Sequence, residues 1–412
     1  MEYGVTAGLD IGTTKVCVVI SQKDVYGDIL VLGVGVAPSY GLRKGVIVNI
    51  DSTTESIAKA VEAAEVMAGV DVDELYTGIT GGHIKGQNSR GVIAVSSRNR
   101  EVTYREVDRV IEAAQAINYP TDKEIIHVIP WEFIVDEQDG VKDPVGMSGV
   151  RLEVDAHIVT GGATALQNIT KSVNRAGFNV EDFVLSSLAS AEAVLSEDEK
   201  EVGVILIDIG GGTTDTILFV NGSIQYSSVF PVGGKYVTKD ISVGLKIPDN
   251  IAEKVKLEHG FCSKEYMKSE DDIEISGVGG RGSKVVPQMT LCNIIEPRVE
   301  EILDLVYRDL VRKNALELAS GGIVLTGGTA SLLGIEEIAE RIFNLPVRMA
   351  LPDNVIGLRD KIASPIYSTA LGLSIYGLRE DSTGVFESQQ NKRGIFRRMK
   401  SSLSEFAKEF FA

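Results

Sequence analysis

The sequence predicts an α/β protein built as two similar lobes that face each other across a cleft. Three observations carry this expectation. The stretch Gly8-Leu9-Asp10-Ile11-Gly12-Thr13-Thr14-Lys15 is repeated, acid included, as Ile207-Asp208-Ile209-Gly210-Gly211-Gly212-Thr213-Thr214-Asp215. β-Branched runs flank both copies, so each reads as strand, tight turn, strand. Strand-like runs are followed by helical patterns along the chain, as in an α/β lobe. Duplication at near half-chain spacing implies one lobe per copy.

The tips of the two hairpins carry readable chemistry. Glycines let backbone N–H groups approach an anion and form a nest for phosphate, and threonine hydroxyls add donors. Candidate phosphate ligands are Gly12, Thr13, Thr14 and Lys15 in the first copy and Gly210, Gly211, Gly212, Thr213 and Thr214 in the second. Asp10 and Asp208 would repel phosphate directly. A Mg²⁺ ion resolves the conflict, because it binds one or two carboxylates, keeps several waters and takes phosphate oxygens. Neither copy is a Walker loop, which ends in Gly-Lys-Ser/Thr and opens a helix. A single copy would also fit an ordinary Gly-Thr hairpin turn.

Taken in order, residues 1–81 are expected to form the first lobe core, continued by 158–195 and 361–380. Ile29 to Val36 is its third strand, and Gly45 to Asn49 a short one. A helix opens at Asp51 with Ile57, Val61, Ala64 and Met67 at helical spacing, and Leu75 to Thr80 is the next strand. Residues 82–157 read as an inserted α/β subdomain, with strands near 92–95, 124–135 and 150–159 and a helix from Tyr104. Its His127, Trp131 and His157 lack metal spacing and suit core or interface roles. A helix from Ala163 ends at Gly177, and a small-residue helix runs from Ser187 to Leu195.

Residues 196–230, continued by 301–360, are expected to form the second lobe core, and 231–300 its outer subdomain. The acidic Ser196 to Glu201 reads as a solvated link. Helices are expected at Val237 to Gly244, at Asn250 to Gly260, and at Val299 to Lys313 with Ile302, Leu305, Val306, Leu310 and Val311 buried. Ser263 to Lys284 is a small subdomain or loop. Gly321 to Ala330 is a strand and a glycine turn, followed by a helix and the short strand Val347 to Met349.

Composition limits the function classes. The chain has 412 residues, 44% apolar and 24% charged, ordinary values for a globular protein of two or more domains. A formal net charge of −17 disfavours nucleic acid as a partner. Cys17, Cys262 and Cys292 show no metal spacing and fit a reducing compartment. No secretory leader is expected at Met1-Glu2-Tyr3. No run reaches the ~18 apolar residues that would span a bilayer.

With these residues in hand, the chain resembles the actin-like ATPase superfamily: two Asp-Ile-Gly hairpins, and a strand ending in Leu325-Thr326-Gly327-Gly328. The resemblance implies that the hairpins hold the phosphates of ATP. It implies adenosine contacts at Gly233, Gly234, Glu253, Lys256, Gly327, Gly328 and Thr329. Glu253 and Lys256 also fit an exposed i,i+3 pair. The stretches His127 to Pro130, Gly161 to Thr164, Ser187 to Ala191 and Tyr367 to Leu373 are similar to the FtsA family of bacterial cell-division proteins. That likeness covers nearly the whole chain. It implies an α/β, actin-like two-lobed fold of duplicated sheet and helix domains with inserted subdomains. It also implies a filament-forming protein that recruits the tubulin-like protein FtsZ, alongside other division proteins, at the cytoplasmic face of the membrane. The outer subdomain would bind the FtsZ C-terminal peptide. Hydrolytic relatives carry Gln, Glu or Asn-Glu early in the helix after Leu185; here Ser186-Ser187-Leu188 stands there, so tight ATP binding with weak or absent hydrolysis is expected.

The end of the chain supplies the membrane contact. Residues 381–393 read as a linker. In 394–412, Phe396, Met399, Leu403, Phe406 and Phe410 recur at steps of three and four, with Phe411 beside them. Arg397, Arg398, Lys400 and Lys408 lie mostly on the other face. This is the pattern of an amphipathic helix for anionic lipids, although a helix docked on its own protein shares it. A superfamily small-molecule kinase is the alternative function, but no candidate general base marks a substrate pocket. A chaperone would need a substrate domain after the two lobes.

Overall fold

The computed structural model describes residues 4–97, 99–116, 120–266, 272–275, 283–353 and 355–382. The amphipathic segment 394–412 and nearly all of the linker lie outside the described residues. The chain opens with β1 (Val5–Ile11), β2 (Lys15–Lys23) and β3 (Ile29–Pro38), the short β4 (Leu42–Arg43) and β5 (Val46–Ile47), α1 (Ile50–Ala68) and β6 (Glu74–Ile79). An insertion follows: β7 (Lys85–Ala94), α2 (Tyr104–Gln115), β8 (Lys123–Val135), β9 (Gln138–Val141) and β10 (Arg151–Gly162). Then come α3 (Ala163–Arg175), β11 (Asn179–Leu185) and α4 (Ser186–Val194). The second lobe contains α5 (Glu197–Val202), β12 (Val204–Ile209), β13 (Thr214–Val220), β14 (Ser223–Phe230), α6 (Gly234–Leu245), α7 (Asp249–His259), β15 (Asp272–Ile275), β16 (Lys284–Pro287), α8 (Gln288–Arg312), β17 (Ile323–Thr326), α9 (Ile335–Phe343) and β18 (Val347–Met349). Finally β19 (Val355–Gly357), α10 (Arg359–Ile362) and α11 (Ser368–Ser382) close the chain.

The two lobe sheets repeat one plan. The order β3-β2-β1-β6-β11 in the first matches β14-β13-β12-β17-β18 in the second. In both, an antiparallel meander is extended by parallel strands on the side of its first strand. β12 is buried at every position. Val204 and Leu206 face a core shared with the first lobe, while Ile205, Ile207 and Ile209 face a second core with α6 and α8. A strand with two apolar faces needs both covered, and here helices α4 and α5 on one side and the outer helices on the other do so. The insertion has a third core, built from α2 and the four-stranded sheet β7-β10-β8-β9.

Several expectations are corrected by packing. The acidic stretch after Ser196 is helix α5, closed by a Ser196–Glu199 capping box, and its Lys200 is buried, not solvated. Helix α8 begins at Gln288 and runs through Pro297, because its buried stripe continues on both sides of the proline. Leu305 and Val311 are exposed, since the stripe is Val299, Ile302, Leu303, Val306 and Leu310. Met67 is likewise exposed. The chain re-enters the first sheet at β19, which pairs in parallel with β3, ahead of the expected crossing at 361. Asn49, not a residue inside the first turn, caps α1 by accepting from Ser52 N at 3.0 Å.

Candidate functional site

Both hairpins form as the repeat predicts, and their tips meet. The β1–β2 pair sets Asp10 opposite Cys17, and β12–β13 sets Asp208 opposite Asp215. The duplicated walls therefore differ by one carboxylate. Glycine is required where the tips touch: a Cβ on Gly211 would stand 2.5 Å from Thr14 Cγ2, and one on Gly212 2.2 Å from Thr13 Oγ1.

The tips enclose a crevice of about 210 Å³. Asp10, Gly12, Thr13, Thr14 and Lys15 wall one side; Asp208, Gly210, Gly211, Gly212, Thr213 and Asp215 wall the other. Glu253 and Lys256 of α7, with Gly327, Gly328 and Thr329 after β17, also line it. Thr214, Gly233 and Gly234 do not. Thr214 turns its hydroxyl to Val232 O at 2.9 Å, and Gly234 N donates to Gly210 O at 2.9 Å, so these three brace the second tip from behind. Glu253 and Lys256 do pair, at 2.8 Å, and Lys256 also donates to Thr238 Oγ1 at 3.0 Å.

The two carboxylates of the second lobe are held by hydroxyls of the first. Ser190 of α4 donates to Asp208 Oδ2 at 2.6 Å, and Thr369 of α11 donates to the same oxygen at 3.2 Å. Thr80, just past β6, donates to Asp215 Oδ1 at 2.5 Å. Lys15 Nζ is 3.5 Å from Asp10 Oδ2. Burial raises the Asp10 pKa, against the pull of Lys15. Burial pushes Asp208 up to about 6, with Asp10 adding repulsion, and pushes Asp215 up to about 7, with Asp208 adding repulsion.

Half-buried Asp10 and buried Asp208 and Asp215 line one crevice among glycine tips. Among the described residues no three acids stand close enough to enclose a metal by themselves. A hard cation that keeps several waters and takes phosphate oxygens needs only one or two carboxylates, and that is the role these residues could fill for Mg²⁺. Thr80, Asp215, Ser190 and Thr369 were given no role from sequence. Asp215 stood inside the repeated motif, and only its cross-strand position opposite Asp208 reveals its place. Ser190 lies on a different element 18 positions before Asp208, and Thr369 161 positions after it. Glu192 is turned away from the crevice and paired with Lys200 and Arg379. His127 accepts from Leu185 N at 2.9 Å, and His157 is buried, so both have structural roles.

Comparison with known proteins gives the same frame. Residues 205–372 match the family model for cell division protein FtsA, and residues 81–160 match the model for the SHS2 domain inserted in FtsA. The chain is 42% identical over 401 residues to the cell division protein FtsA of Pseudomonas aeruginosa, covering 95% of this chain and 96% of the relative. It is 39% identical to that of Borreliella burgdorferi over the full length of both. Among solved structures, the PilM–PilN type IV pilus biogenesis complex matches with a TM-score of 0.66 at 15% identity, covering 90% of this chain and 98% of that one. MreB5 of Spiroplasma citri bound to ADP matches with a TM-score of 0.55 at 17% identity, covering 92% and 99%.

Proposed function

The chain belongs to the FtsA family of cell-division proteins, and from that premise we propose that it binds Mg²⁺-ATP between its two hairpins, polymerises, and tethers FtsZ to the membrane at the division site. The observation that carries the nucleotide reading is the convergence of Asp10, Asp208 and Asp215 with both glycine tips on one crevice. Phosphates would lie on the N–H groups of the two tips, with Lys15 as a fixed positive charge. Asp10 and Asp208 would hold Mg²⁺ through water, and the ion would offset charge between carboxylates and phosphates. Glu253, Lys256, Gly327, Gly328 and Thr329 would take the adenosine. Ser186 presents a hydroxyl, not a base, at the crevice. Slow or absent hydrolysis follows, so ATP serves to fix lobe geometry.

The outer subdomain, residues 231–300, is the proposed seat of the FtsZ C-terminal peptide. The basic, aromatic stretch Phe396 to Phe411 is the proposed lipid contact, with anionic headgroups as partners. No helix among the described residues is long and apolar enough to cross a membrane. One amphipathic helix binds reversibly, and a filament multiplies the attachment. Phe396→Asp with Phe410→Asp should abolish flotation with anionic liposomes while ATP binding persists; unchanged flotation rejects the tether. Electron microscopy of the protein with ATP on a lipid monolayer tests polymerisation, and a field without filaments rejects it.

The raised acids give a pH prediction. A raised carboxyl pKa favours the protonated folded form. The stabilisation it brings is complete below the ordinary value of 3.8 and is lost as pH rises through about 6 for Asp208 and about 7 for Asp215. Metal binding needs the ionised forms, so Mg²⁺-dependent ATP affinity should fall as pH is lowered from 8 to below 6. Asp215→Asn should then stabilise the metal-free protein at pH 8, by roughly 1–3 kcal/mol, while weakening Mg²⁺-ATP binding. Thermal melts and calorimetric titration read the two effects; a destabilised variant with intact affinity contradicts the assignment.

A further inference from the structure

By connectivity the insertion belongs to the first lobe, yet its sheet is bonded to the second. The face carrying Gly86, Asn88 and His157 lies across β14, the edge strand of the second sheet. Asn88 Nδ2 donates to Gln225 O at 3.1 Å, which turns Asn88 Oδ1 toward His157. His157 Nδ1 therefore donates to that oxygen at 2.6 Å, and its Nε2 accepts from Ser227 Oγ at 2.8 Å. The ring is neutral, with burial holding its pKa down to about 4. Further out, Lys142 Nζ donates to Asn221 O at 2.8 Å. A Cβ on Gly86 would stand 2.4 Å from Ser227 Oγ and 2.7 Å from Ser227 O, so only glycine lets the backbones approach this closely. At the inner end Gly82 meets Pro231, and Gly81 stands beside Gly45, which itself abuts Thr213 at the crevice.

The lobes meet around the crevice through the Ser190–Asp208–Thr369 cluster, the Thr80–Asp215 and Lys235–Thr13 hydrogen bonds and the Glu192–Lys200 pair. They meet again along β14 at this seam. Together these junctions leave free only a rotation about the line that joins them, so an opening about any axis through the crevice base that misses the seam must part it. We propose that the inserted subdomain is a strap across the lobes, and that nucleotide leaves the crevice only when the His157–Ser227 seam parts. The release step rests on the nucleotide reading above; the strap itself does not. By linkage, ATP and any ligand that moves the insertion would alter each other's affinity.

The test uses the full chain with a fluorescent ATP analogue chased by excess ATP. Ser227→Ala combined with Asn88→Ala should speed release about fivefold to tenfold, the loss of the two side-chain hydrogen bonds that cross the seam. Hydrogen exchange should report lost protection of β14 amides in the same variant. Lost protection with an unchanged release rate overturns the proposal. Should protection survive, Gly86→Val forces the backbones apart, and an unchanged release rate there overturns it too. If the wild-type chain fails to bind the analogue, the nucleotide reading falls and the strap is read by distance. Spin labels at Lys59→Cys and Arg308→Cys, exposed on opposite lobes, should give a broader inter-lobe distribution in the seam variants. An unaltered distribution overturns the strap.

Discussion

Asp208→Ala should lower ATP affinity by about a hundredfold, or about 3 kcal/mol, in the presence of Mg²⁺. The side chain does two jobs at once. It offers the proposed cation a carboxylate, and it takes hydroxyls from α4 and α11 of the opposite lobe. Alanine removes the ligand and leaves Ser190 and Thr369 without their shared acceptor. Asp208→Asn separates the two jobs, because the amide keeps an acceptor oxygen but carries no charge. It should be at least as stable as the wild type above pH 6, because it removes a buried charge, while losing the Mg²⁺ dependence of binding. Calorimetric titrations with and without Mg²⁺ read this directly. Wild-type affinity in the alanine variant would remove Asp208 from the site.

Glu192→Gln should destabilise the fold by about 3 kcal/mol without altering ATP affinity. Glu192 sits on α4 with its side chain 9% exposed, lining a cavity of about 880 Å³. Its carboxylate meets Lys200 at 3.2 Å and also pairs with Arg379 of α11. Lys200 is itself buried and reaches Glu197 at 2.8 Å. Burial alone would raise the Glu192 pKa, but Lys200 and Arg379 hold it below the ordinary carboxyl range. A depressed folded pKa stabilises above the unfolded value and the benefit is lost as pH falls through the folded one. The gap between wild type and variant should therefore close in acid, below about pH 4.5. Urea melts across pH measure it. A stable variant whose ATP turnover collapses would instead make Glu192 a catalytic group.

Much of the site was legible because it is local. Each hairpin is a contiguous stretch in which glycine, threonine and aspartate occur at fixed offsets, and the repeat makes both copies visible. The apolar stripe of α2, with Val107, Val110, Ile111 and Ala114 buried, also follows from spacing alone. The misses share a cause. Lys200 looked solvated because its acidic neighbours in sequence are exposed, while its partner Glu192 comes from another helix. The helix expected from Val299 begins at Gln288, since local rules cannot weigh the tertiary contacts that carry α8 through Pro297.

The sequence by itself determined the duplication, the strand–turn–strand geometry of each tip, the inserted segment and the amphipathic repeat near the end of the chain. These depend on the periods of strand and helix and on the backbone freedom of glycine, which act over a few residues. Tertiary structure alone decided that Ser190 and Thr369 reach across to Asp208, that Thr80 reaches Asp215, and that His157 fastens the insertion to β14. Those contacts join residues 18 to 161 positions apart. Their energy exists only once two sheets have closed on shared helices, so no local pattern encodes them.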